Sequence, residues 1–182
     1  SIKQMGCCTQ CYYEVTGHKS RREHIFNDFL IQNLPSEFKA LAFDRSLRWL
    51  GGRTLLRPDI LFELSDRWIL FEYDEFQHVK EEYKDAERLR EILEDPLICG
   101  KPIVVVRYNP DSFTNMQGVT VTVPTKEREQ LCLSMLKKVA HQTLKHEVEI
   151  HYMFYTPFNR HITKQFPYQH VDRVDDLSKQ IE

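Results

Sequence analysis

Residues 57–78, RPDILFELSDRWILFEYDEFQH, constrain the fold of this chain more than any other stretch. They read as two strands turning on Ser65 and Asp66. The first carries Ile60, Leu61, Phe62 and Leu64; the second carries Trp68, Ile69, Leu70, Phe71 and Tyr73. Apolar runs this continuous suit strands covered on both faces. Asp59 opens the first run, and Glu72, Asp74 and Glu75 close the second. Neighbouring antiparallel strands lie ~5 Å apart, so Asp59 and Glu72 can bring two carboxylates to one spot. Such a cluster is costly without a compensating positive charge. A hard divalent cation, Mg²⁺ or Mn²⁺, is the usual compensator.

The expected fold class is α/β, a mixed central β-sheet flanked by helices. The chain has 182 residues, enough for one domain with a real core. Residues 79–95, with Tyr83, Ala86, Leu89, Ile92 and Leu93 as a core stripe, read as a helix; 102–107, PIVVVR, read as a buried strand. A helix between two such strands fits a crossover onto a parallel neighbour. A helix is expected over 19–33, with Ser20 and Glu23 as a capping box. Further strands are expected over 40–43, 119–123 and 148–155, and a helix over 126–144. From 156 onward the polar chain suggests loops and a short C-terminal helix. The organisation is therefore a short N-terminal segment (1–18), a domain over 19–155 and an extension over 156–182, packed on the domain or trailing it.

A formal net charge of -2 gives no global basic signature. Binding to nucleic acid would then need a local basic surface around the acidic centre. The richest arginine region holds Arg45, Arg48, Arg53 and Arg57, with Trp49 among them; Arg21 and Arg22 add two more. Arginine with an aromatic suits nucleic acid, although a solvated loop face is the commoner reason for scattered arginines. No run approaches membrane-spanning length and no apolar leader opens the sequence, so no membrane partner is expected. Five cysteines, an odd number, argue for a reducing, intracellular setting, nuclear or cytoplasmic. Cys8 and Cys11 form half of a zinc-site spacing, with His18 as a third candidate ligand. Without further ligands this segment reads as a linker. The chain opens on Ser1 rather than Met, as a piece of a longer protein would. Oligomeric state is left open, a dimer included.

The ordered set Pro58-Asp59, Glu72-x-Asp74 and His78 resembles the PD-(D/E)XK, or restriction endonuclease-like, nuclease superfamily. The fuller string looks like the branch holding very short patch repair endonucleases, and like nuclease-like proteins of giant viruses and protists. Residues 57–59, 72–78, Tyr83, Glu87, Arg88 and 107–111 carry the likeness, which spans roughly residues 19–113. It implies a DNA endonuclease in which Asp59, Glu72 and the carbonyl of Tyr73 bind Mg²⁺ or Mn²⁺. It implies that an early helix lends Glu23 to the metal site, in competition with the capping role. Asp74 occupies the position of the superfamily's usual lysine, which orients the attacking water. That role then falls to Gln77, His78, Lys80 or a metal ion, with Asp74 binding a second ion or orienting His78. His78 suits general acid or base chemistry because its unperturbed pKa lies near neutrality. Most charges on the 79–95 helix are expected to form surface pairs, with Arg88 or Arg90 reaching the site as the sharper alternative. Two other functions compete: a nuclease fold that binds nucleic acid without turnover, and a homing or transposon-type endonuclease domain of a larger protein.

Overall fold

In a computed structural model, residues 22–43, 45–75, 82–115, 117–156 and 170–174 are described, and six strands among them form one mixed sheet. In chain order the elements are α1 (Arg22–Asn33), β1 (Lys39–Phe43), a 3-10 turn (Leu47–Leu50), β2 (Ile60–Glu63), β3 (Trp68–Tyr73), α2 (Glu82–Leu93), β4 (Ile103–Tyr108), β5 (Phe113–Thr114), β6 (Thr120–Val121), α3 (Thr125–His141), β7 (Val148–Met153) and β8 (His170–Val174). The sheet order is β1-β2-β3-β4-β7-β8, and β5 and β6 form a separate two-stranded ribbon. Pairing is antiparallel from β1 to β3 and parallel from β3 to β8. A tight turn can join β2 to β3, whereas the parallel pairs β3–β4 and β4–β7 need crossovers, which α2 and α3 supply.

The continuous apolar runs are buried on both faces. On one face Ile69, Phe71, Val104, Val106 and Tyr108 pack with Phe26 and Leu30 of α1 and with Cys132, Leu136 and Val139 of α3. On the other face Leu61, Leu70, Val105 and Ile150 pack with Leu47 of the 3-10 turn and with Leu89 and Ile92 of α2. Three layers result, with β3 and β4 at the centre. Arg67 fastens the layers at one end by donating to the carbonyls of Val139 (3.0 Å) and Gln142 (2.8 Å). A cation at these last carbonyls of α3 also complements the helix dipole.

Residues 170–174 add a sixth strand beside β7, where the sequence suggested only loops and a helix. The expected strand over 119–123 is confined to the two residues of β6, because it pairs with a short neighbour rather than with the sheet. Ser20 of the expected capping box lies outside the described residues.

Candidate active site

The antiparallel register pairs Ile60 with Phe71 and Leu61 with Leu70. Continued one step, it sets Asp59 across from Glu72, and alternation puts both on the α2 face. The parallel register pairs Glu72 with Arg107 on β4. Three carboxylates and two guanidinium groups thus gather where β3 and β4 end.

Asp59 Oδ2 accepts the backbone N–H of Tyr73 at 2.6 Å. Burial pushes the Asp59 carboxyl up to about 7, with the charges of Glu23 and Asp74 adding to the rise and the Tyr73 amide and Arg88 opposing it. Glu72 Oε2 accepts from Arg88 Nη1 at 2.8 Å, and Arg88 Nη2 donates to the Arg57 carbonyl at 2.7 Å. The other oxygen, Oε1, is buried with no hydrogen-bond partner among the described residues. Burial lifts Glu72 to about 8, Arg88 pulls it back, and Asp59 raises it further. The two groups therefore hold protons near neutral pH.

Asp74 stands apart from this pair. It is only 1% exposed, and its Oδ2 accepts from Arg107 Nε at 2.5 Å and from the Tyr155 hydroxyl. Burial and the Asp74 charge hold the Tyr155 phenol well above its usual range, so it stays a donor. The Tyr73 side chain points the other way, into the α1–α3 layer.

Glu23 sits in the first turn of α1 with its field acting on Asp59, so that turn lies at the same end of the sheet. Arg22 instead pairs with Asp111 at 3.3 Å. Arg48, Arg53 and Arg57 are exposed, and the Arg45 guanidinium lies over the Trp49 ring at 4.2 Å, with Trp49 64% exposed. Asp95 pins this arginine loop: Oδ2 accepts the N–H groups of Arg53 (2.8 Å) and Thr54 (2.7 Å), and Oδ1 accepts that of Leu97. Gly51 takes a positive φ of 99°, and a Cβ at Gly52 would collide with the Asp95 carboxylate. Asn109 does turn work, accepting the Asp111 N–H and donating to the Phe154 carbonyl at 2.8 Å.

Cys8, Cys11, His18, Arg21, Gln77, His78 and Lys80 lie outside the described residues. Among the described residues, no three His, Cys, Asp or Glu side chains stand close enough to hold a metal ion as placed. Of the charges on α2, Arg88 reaches the site while Glu87 and Arg90 are exposed, which is the sharper of the two expectations. Sequence reasoning gave no site role to Arg107, Tyr155 or Asp95. For Arg107 there was a signal: a lone charge ending the β-branched run of β4 requires a buried partner. No family model, curated protein or solved structure matches the chain.

Proposed function

We propose that the chain is a metal-dependent DNA endonuclease built on Asp59 and Glu72. One observation carries this reading: two carboxyls share one face of paired strands, both proton-holding at neutral pH, and one Glu72 oxygen is buried without a partner. A desolvated carboxyl pair with a spare oxygen suits a hard divalent ion, and a pKa raised by burial beside a like charge marks a functional site. Mg²⁺ or Mn²⁺ would be held by Asp59 and Glu72, with the Tyr73 carbonyl as the third ligand and Glu23 near at hand. Bound there, the ion would supply charge neutralisation at the phosphate and acidify its water.

The protein's own groups do the rest. Arg88 spans Glu72 and the Arg57 carbonyl, so it ties the site to the arginine loop and offers a cation beside the scissile phosphate. Arg45, Arg48, Arg53 and Arg57 contact strand phosphates, and exposed Trp49 stacks on a base. His78 serves as general acid or base, with Gln77 or Lys80 orienting water where the usual lysine is Asp74. Arg22 touches phosphate away from this centre, together with Arg21. Cys8, Cys11 and His18 bind zinc where further ligands complete the set.

The test is cleavage of supercoiled and linear DNA with Mg²⁺ or Mn²⁺ by wild type, Asp59→Ala and His78→Ala. Loss of cutting in the variants with DNA binding retained supports the proposal. A second reading, a binding module without turnover, draws on the ion pairs Glu72–Arg88 and Asp74–Arg107, which neutralise the carboxylates from within. Under it, wild type binds DNA and cuts with no divalent ion.

A further inference from the structure

Trp49 and Leu55 are the two most exposed large apolar side chains among the described residues, at 64% and 68%. One exposed apolar side chain needs no explanation. These two sit on the same short loop, and the bond from the Arg48 N–H to the Thr54 carbonyl (2.9 Å) ties together the residues next to them. The loop is held firmly from below. Leu47 is fully buried, Leu50 and Leu56 pack against the α2-side core, and Asp95 takes the N–H groups of Arg53 and Thr54. Trp49 is therefore carried outward on a fixed backbone while its neighbours are drawn inward.

The Arg45 guanidinium lies over one face of the indole at 4.2 Å from the ring centre. With that face covered, the exposure of Trp49 lies on the other. A planar π-surface backed by a cation suits a nucleobase, because every base has a π-face and the arginine strengthens the stack. Arg48, Arg53 and Arg57 are exposed along the same loop and suit the phosphates on either side of such a base. Three carboxylates oppose them from α2 and its end. Asp95 is 3% exposed and committed to backbone N–H groups, whereas Glu91 and Glu94 are exposed. The loop also runs directly into the carboxyl pair: the Arg57 carbonyl accepts from Arg88, which donates to Glu72, and Asp59 follows two residues later.

In an intact duplex the faces of each base are covered by its neighbours. Drawing a paired base out costs about as much as one base–aromatic stack returns, so a single platform gains little affinity from closed duplex. It gains fully where a base is already unpaired. We infer that Trp49 is a stacking platform for an unpaired base, so that the substrate class is DNA with a single-stranded stretch beside the cut site. This deepens the nuclease reading, on which it rests, by naming which DNA that centre takes.

The experiment measures binding of the full chain without divalent ions, at fixed salt, so that cutting plays no part. The probes are a thymidine homopolymer, a blunt duplex and the same duplex with a single-stranded tail. Wild type is expected to bind the homopolymer and the tailed duplex roughly tenfold or more tighter than the blunt duplex. Trp49→Leu is expected to lose that preference while keeping its blunt-duplex affinity, and Trp49→Phe, which keeps a ring, to retain most of it. Indole fluorescence should be quenched by the homopolymer in wild type and not in Trp49→Leu, since the other tryptophan, Trp68, is only 4% exposed. Equal affinity of wild type for single strand and duplex overturns the inference and leaves the nuclease reading standing. So does a Trp49→Leu variant that weakens neither form, or both alike. A single-strand preference carried by Trp49 in a protein that cuts with neither Mg²⁺ nor Mn²⁺ supports the platform and counts against the nuclease reading alone.

Discussion

Arg88 on α2 reaches Glu72 on β3 at 2.8 Å, yet burial outweighs this pairing and leaves the Glu72 carboxyl at about 8. The guanidinium thus keeps Glu72 in place without fully ionising it. A divalent ion entering beside it would meet a positioned carboxyl that gives up its proton on binding.

Metal affinity should therefore depend on pH. Binding Mn²⁺ must release protons from Asp59 and Glu72, so affinity should climb between about pH 6 and pH 8.5. Calorimetry in two buffers of different ionisation enthalpy measures that release. Equal Mn²⁺ affinity in wild type and Asp59→Ala would remove these two residues from the metal site.

The stability of the metal-free protein should run the opposite way to that of most proteins. Asp59 and Glu72 have folded-state values of about 7 and about 8, above the ordinary 3.8 and 4.5. Between these limits the folded state binds more protons than the unfolded one, so stability falls as pH rises. The contribution is full below about pH 4 and gone above about pH 8. Thermal melts should show a declining Tm across this window, flattened in the Asp59→Asn, Glu72→Gln double variant. Asp59→Asn alone should raise Tm near pH 8 while abolishing cleavage, the signature of carboxylates kept for function. A lowered Tm for that variant at pH 8 would show the carboxylate to be structural.

Much of this centre was legible in residues 57–78, because an acid at each end of two buried apolar runs fixes both register and face. Asp59 and Glu72 fall opposite one another for that reason. The partners were not legible. Arg107 and Tyr155 meet Asp74 from β4 and from just beyond β7, a convergence set by sheet order, which local pattern does not encode. Asp95 is legible only once Gly52 is seen pressed against it. The strand at 170–174 escaped because an edge strand added after a long polar stretch carries little periodic signal.

Asp74→Asn should cost about 3–5 kcal/mol, since it leaves the Arg107 guanidinium buried without its counter-charge. Tyr155→Phe removes only the hydroxyl donor and should cost about 1–3 kcal/mol. Urea unfolding reads both. If Asp74→Asn is neutral in stability while metal binding is lost, Asp74 is a ligand rather than a brace for β4.

Asp95→Ala should free the N–H groups of Arg53 and Thr54 and loosen the arginine loop. DNA affinity should drop several-fold, most strongly at low salt, where phosphate contacts count most. Fluorescence anisotropy with a labelled duplex tests this, and unchanged affinity across the salt range would take the loop out of the DNA interface.

The most direct measurement is nicking of supercoiled plasmid under single-turnover conditions with Mn²⁺, comparing wild type, Asp59→Asn, Glu72→Gln and His78→Ala. Cutting by wild type is expected to stop in both carboxylate variants and to slow by roughly 10²–10⁴-fold in His78→Ala, with DNA binding intact in all. Plasmid bound by wild type but left uncut with Mg²⁺ and Mn²⁺ alike, or cut equally well by Asp59→Asn, would contradict the nuclease assignment.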